Sequence, residues 1–360
     1  CFYISFRGIE LGAGGFLHKV QPFLESLLAL LIGLGVGALL IYIYRYDPVA
    51  GYLGLFIGAF GNTVALAETL SYSMPLALTG LTFAIGIRTG LFNIGSEGQV
   101  YMGALAAVAI GSASLSYAGH AHVALTLIGS ALFGMLWASI PALLKVYRGV
   151  HEVLSTIMLN WTAYYITMYV SSQILVDPAR PEKTLSVLES SRFSIIVSGT
   201  TLTGGIFISI ATALAYYFLI SRSVLGYEIS LLGSGTDVAR YAGVNVRKIM
   251  IYSFLLGGIA SGIAGSLLVI ARPPTYAIYG TLGNIWGYGF EGIGVALIGR
   301  NNPIGIILAS ILYGGIKNGG RFMEYYAGID SDLVKAINGL IVISLSMPEL
   351  FRIFGRLVRR

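Results

Sequence analysis

Glu97 and Glu291 are the residues of this chain that most need a reason to exist. Each is a carboxylate inside a stretch otherwise suited to lipid, where an ionisable side chain costs roughly 2.5–3.5 kcal/mol on insertion scales. Glu97 lies in Gly90-Leu-Phe-Asn-Ile-Gly-Ser-Glu-Gly-Gln99, beside the amides Asn93 and Gln99. Glu291 lies in Gly283-Asn-Ile-Trp-Gly-Tyr-Gly-Phe-Glu-Gly-Ile-Gly294. Irregular polar backbone at membrane depth is tolerated only where protein buries it or water fills a cavity. The chemistry on offer is therefore hydrogen bonding to a polar solute, or proton exchange at a carboxylate. One broken segment in each half of a chain points to a translocation pathway. Either Glu also reads as a loop-edge carboxylate at the interface, held by caps or by a cation such as Arg88.

Asn160 is a third intramembrane polar group; it could hydrogen-bond a solute, or a neighbouring helix for roughly 0.6–2 kcal/mol. Trp286, with Phe92, Trp161 and Tyr288, could stack on a base or sugar face, although aromatics also serve as interface anchors. His120 and His122 flank Ala121 and read as a loop pair, so no metal site is expected. No phosphate-binding Gly-x-x-x-x-Gly-Lys-Ser/Thr, Gly-x-Ser-x-Gly or His-Glu-x-x-His motif occurs. The expectation is a non-catalytic chain with no cofactor of its own.

The elements that must position these residues are helices. The chain has 360 residues, is 56% hydrophobic and 11% charged, with a mean hydropathy of +0.80. Average soluble domains are roughly 25% charged, so this is read as an all-α polytopic membrane bundle. The 48 glycines suit close helix packing, with ladders at Gly33/Gly37, Gly258/Gly262 and Gly257/Ser261/Gly265. A single cysteine, Cys1, excludes an internal disulfide. The net charge of +6 fits cytoplasmic loops rather than nucleic-acid binding. Residues 1–26 do not have the form of a cleaved signal. About ten spans are predicted, at 27–44, 70–88, 97–117, 122–144, 153–171, 203–220, 248–271, 282–299, 303–319 and 334–350. The apolar stretch 49–66 is expected to be a partial or re-entrant helix.

With both termini inside, the 22 Lys and Arg divide 14 inside against 8 outside, as the positive-inside rule asks. A count of eight spans satisfies nearly the same balance. This division puts 1–26 and the basic tail 351–360 in the cytoplasm and assigns Arg272, Lys317, Arg321 and Lys335 to the outer side. Two long loops remain: 172–202, extracytoplasmic and suited to a docking surface or lid, and 221–247, cytoplasmic. In the second, Thr236 is expected to cap a short helix through Tyr241, and Gly243 to end it. Such a helix fits a soluble partner's groove; an ordinary amphipathic loop has the same pattern.

Four stretches together resemble one family: Leu91-Phe-Asn-Ile-Gly-Ser-Glu-Gly-Gln99, Glu152-Val-Leu-Ser-Thr-Ile-Met-Leu-Asn160, Ala239-Arg-Tyr-Ala-Gly-Val-Asn245, and Gly287-Tyr-Gly-Phe-Glu-Gly-Ile-Gly-Val-Ala-Leu-Ile-Gly-Arg-Asn-Asn-Pro303. The sequence is similar, over about 27–350, to permease subunits of ABC importers for nucleosides and simple sugars, related to ribose and branched-chain amino acid permeases. His151 and Gly235-Thr236-Asp237 depart from that family's pattern. The resemblance implies a plasma-membrane importer subunit working by alternating access. It also implies a second permease (identical or homologous), a cytoplasmic ATPase carrying ATP and Mg, and an extracytoplasmic substrate-binding lipoprotein. By position its coupling helix falls around Thr236–Gly243. From the residues themselves, Glu228, Thr236, Asp237, Arg240 and Gly243 are the expected coupling residues, and Asn93, Glu97, Gln99, Asn160, Trp286 and Glu291 the expected pathway residues. Two rivals stand beside it: an ion- or proton-coupled secondary transporter, and a non-transporting membrane scaffold.

Overall fold

Helix dominates the computed structural model, which describes residues 13–114 and 120–347; in lipid a helix satisfies its backbone polar groups within its own segment. Among the described residues thirteen α-helices follow one another: α1 (Ala13–Ile43), α2 (Pro48–Phe60), α3 (Thr63–Arg88), α4 (Ser96–Gly111), α5 (His120–Arg148), α6 (Glu152–Tyr169), α7 (Gly205–Arg222), α8 (Val224–Ser234), α9 (Thr236–Tyr241), α10 (Val246–Ile270), α11 (Tyr288–Ile298), α12 (Pro303–Ala327) and α13 (Ser331–Ser346). Within the described residues each predicted span overlaps a helix, although 282–287 of the eighth span is not helical. The region 49–66 becomes the short α2, a break at Gly61-Asn62, and the start of α3. Cys1 and the basic tail lie outside the described residues.

Side-chain caps mark many of the starts. Asp47 accepts from Val49 N before α2, Asn62 from Ala65 N before α3, Asn245 from Lys248 N before α10, and Asn302 from Ile304 N before α12. Proline stands at the first position of α2 and α12, where its missing N–H leaves no helix bond unmade.

α3, α5, α7 and α10 are long and apolar enough to cross a bilayer by themselves; α11 and α12 pass that test only as a pair, bent by 120°. Leu28–Ile43 within α1 and Pro48–Phe60 (α2) are apolar but shorter. α3 and α10 form the centre, 89% and 78% buried over their apolar windows, whereas α5 and α7 are 22% and 28% buried.

Small residues place α10 there. A Cβ on Gly262 would run into the Ser130 carbonyl of α5, and one on Gly265 into the Val100 carbonyl of α4. Toward α3, Thr82 Oγ1 donates to Gly257 O at 2.8 Å and meets Ser261 Oγ at 2.7 Å. Gly33 and Gly37 of α1 lie against Ile341, Ser344 and Ile337 of α13. Both expected ladders on α10 are thus helix contacts.

The bundle has two distinct ends. At one, α9 adjoins the α8 C-terminus, whose Gly233 lies against the Arg88 carbonyl, and Arg88 Nε donates to Asn301 O at 2.8 Å. Arg88 therefore serves the α11–α12 turn and not Glu97. At the other end, 172–202 is structured: strands β1 (Val176–Asp177) and β2 (Arg180–Thr184) pair antiparallel. Thr184 N and Val187 N then donate to Ile278 O and Tyr276 O, joining this loop to the non-helical segment after α10.

Candidate functional site

The break before α4 and the break before α11 meet. Glu97, in the first turn of α4, is 1% exposed. One of its oxygens accepts from Gly287 N and Tyr101 Oη, both at 2.6 Å, and the other from Gly289 N at 2.6 Å. Gly287 caps α11 at φ +90°, a left-handed conformation that a side chain would strain. A Cβ on Gly289 would collide with the Glu97 backbone. The carboxylate thus sits at two helix N-termini, its own and that of α11, where exposed N–H groups and the helix dipole favour negative charge.

Asn160 of α6 closes the same crossing. Its Oδ1 accepts from Gly98 N and its Nδ2 donates to Ile94 O, each at 2.9 Å. Asn93 Oδ1 accepts from Gly95 N at 2.9 Å. Asn93 Nδ2 and both amide atoms of Gln99 are buried without a protein partner among the described residues. Four sequence-flagged residues, Asn93, Glu97, Gln99 and Asn160, therefore converge, and three of them hold backbone.

Glu291 lies one turn into α11, on a different contact surface. Both its oxygens accept from Lys317 Nζ of α12, at 2.8 and 2.7 Å. Lys317 Nζ also stands 4.0 Å from the Tyr288 ring centroid. Arg272 donates to Tyr288 Oη at 3.1 Å and lies 4.1 Å over the Tyr72 ring, with Arg321 5.3 Å from the same ring. Tyr288 is the link between the two carboxylates, for the Glu97 bonds bracket it on the backbone. Trp286, in the turn before α11, is 58% exposed.

Sequence reasoning missed Lys317, Arg272, Tyr72 and Arg321 as members of this site. Lys317 and Arg321 do not follow the span in an outer loop; they lie within α12, which continues to Ala327. Their charges are tolerated because a carboxylate and two tyrosine rings solvate them. The available signal was the nearness of Lys317-Asn-Gly-Gly-Arg321 to a predicted span end.

At the α9 end, α8 and α9 form an elbow. Ile229, Leu232, Ala239 and Ile249 bury its inner face. The outer face presents Val238 and Tyr241, the latter 95% exposed. Asp237 and Arg240 pair at 3.3 Å on that surface, and Glu228 is half-buried on α8. Thr236 is not the cap: Gly235, at φ +143°, holds that position and Thr236 is the first helical residue. Gly243, at φ +76°, follows the helix end. His122 is held by Ser190 Oγ and Ile110 O. Among the described residues no group of three His, Cys, Asp or Glu could hold a metal.

A bundle with broken helices, a polar interior and an exposed elbow at one end defines a multi-pass membrane permease. The chain belongs to the family described as branched-chain amino acid transport system / permease component, which it matches over residues 65–346. It is 34% identical to the guanosine ABC transporter permease protein NupP of Bacillus subtilis, over 96% of this chain and 99% of that protein. The nucleoside ABC transporter permease protein NupB of Lactococcus lactis is 29% identical over 93% and 94%. The glucose ABC transporter permease protein TsgB13 of Haloferax volcanii is 29% identical over 90% and 87%. The chain is an ABC importer permease subunit.

Proposed function

We propose that this permease moves nucleosides into the cell by alternating access, driven by a separate ATPase that binds the α8–α9 elbow. The observation that carries the reading is the elbow itself: a six-residue helix with an apolar inner face, an exposed Tyr241 and an exposed Asp237–Arg240 pair. In this reading Asp237, Arg240 and Glu228 give the ATPase charges to push against, and Thr236 and Gly243 bound the helix. ATP and Mg reside in that partner. The elbow end faces the cytoplasm, and the β1–β2 layer faces an extracytoplasmic substrate-binding lipoprotein. A second permease, identical or homologous, completes the path.

Glu97, Asn93 and Asn160 act here as clamps that hold the broken segments, with Gln99 beside them and Glu291 and Trp286 nearer the solute. What supports nucleosides is the end-to-end likeness to the guanosine and nucleoside permeases; the glucose permease keeps simple sugars as a second class. The test is purification with partners intact, followed by a screen of nucleosides and sugars on ATPase stimulation. Stimulation by nucleosides above sugars is expected. Absence of a co-purifying ATPase contradicts the reading.

A further inference from the structure

A cavity of about 250 Å³ lies between α11, α12 and α13, lined by Glu291, Tyr313, Lys317, Arg321, Glu324 and Asn338 among others. Its depth follows from the helices. α12 runs from the Asn301 turn at the elbow end to Ala327 at the opposite end, where Ile329 lies against Gly51 at the start of α2. Lys317 is ten residues before Ala327, or about 15 Å at 1.5 Å per residue, half of a hydrocarbon core of about 30 Å. Asn338 of α13 meets Gly320 at a nearby level. Charged side chains thus continue from Glu324 near the far end down to the Glu291–Lys317 pair at mid-depth.

Such groups within a bundle face protein or water rather than lipid. Lys317 and Glu291 keep 26% and 25% of their side chains exposed, and Asn338 Oδ1 is buried with no partner. Three cations and two carboxylates line the cavity, a mixture that creates no strong single-sign field and does not select an ion. The volume is below the roughly 300–1,000 Å³ of drug-sized pockets.

We propose that this cavity is a water-filled vestibule, open away from the elbow and floored by the Glu291–Lys317 pair, that takes a neutral solute of nucleoside class. The free lone pairs of Glu291 accept from sugar hydroxyls or base N–H groups, the Asn338 amide turns from the wall to hydrogen-bond the same solute, and the Tyr313 ring lies against the base. This rests on the nucleoside reading above and adds its location and contacts.

Gly339 gives a clean probe. It lines the cavity, and a Cβ there has nothing within 4 Å. Gly35, on the apolar exposed face of α1, has equally open space and serves as a lipid-facing control. In the full complex, with Cys1 replaced by Ser, a membrane-impermeant methanethiosulfonate added from outside should modify Gly339→Cys and spare Gly35→Cys, because the reactive thiolate forms only in water. Guanosine or uridine should slow Gly339→Cys labelling several-fold. Asn338→Ala should raise the KM for uptake about five-fold, as expected for one lost hydrogen bond, while the complex still assembles.

Two results overturn the proposal while leaving nucleoside transport intact: no labelling of Gly339→Cys in a complex that takes up nucleoside, or labelling that no nucleoside slows together with an unchanged KM for Asn338→Ala. If the wild-type complex takes up no nucleoside, the solute assignment falls with the function, and labelling alone decides whether the vestibule is aqueous.

Discussion

Glu97 shows how one side chain can organise an irregular region. Three donors converge on it: two backbone amides of the α11 entrance and a tyrosine hydroxyl. Removing it leaves them buried and unpaired at about 1–3 kcal/mol each. Glu97→Ala is therefore expected to lower the melting temperature of the detergent-purified protein sharply. Glu97→Gln, which keeps volume and one acceptor, should fall between. Equal melting temperatures for all three proteins would mean that the clamp carries no stability. Glu97, Asn160 and Glu291 could be singled out in the sequence, because polar groups in apolar stretches stand out. Their partners were not: Gly287 is 190 residues from Glu97, and Lys317 is 26 from Glu291. A hydropathy window therefore reads Lys317 as a span end, while in the fold it is an interior partner.

At the scale of elements, packing and coupling give separate predictions. Gly262→Val puts a branched side chain where the Ser130 carbonyl already lies; overpacking of this kind costs about 1–3 kcal/mol or more. Its yield of monodisperse protein by size exclusion should drop, while Gly35→Ala, in open space, should not lose yield. On the elbow, Asp237→Lys and Arg240→Glu disturb only an exposed pair, which contributes little to folding. Thermal stability should hold while solute-stimulated ATPase activity falls several-fold through misplaced charge at the docking face. Unchanged ATPase stimulation in both variants would remove the elbow from the coupling path. The elements themselves were largely legible, since apolar length marks the helices. Their breaks were less so. Residues 282–287, predicted as part of a span, are a turn, because Glu97 and the left-handed Gly287 stabilise a non-helical approach to α11. The cap of α9 was assigned to Thr236 from residue type alone, and backbone geometry gives it to Gly235.

At the scale of the whole molecule, this sequence holds no Gly-x-x-x-x-Gly-Lys-Ser/Thr phosphate-binding motif. The centre is rigid, with α10 locked by glycine contacts to α4 and α5 and by hydroxyl bonds to α3. Such a centre transmits force between the two ends of the bundle only by moving helices as bodies. The most direct test is uptake of a labelled nucleoside into proteoliposomes, comparing the full complex with this chain alone. Accumulation is expected only with the ATPase and ATP present, and none when the isolated chain is given a proton gradient. Accumulation by the isolated chain under a proton gradient would contradict this and make the chain a secondary transporter.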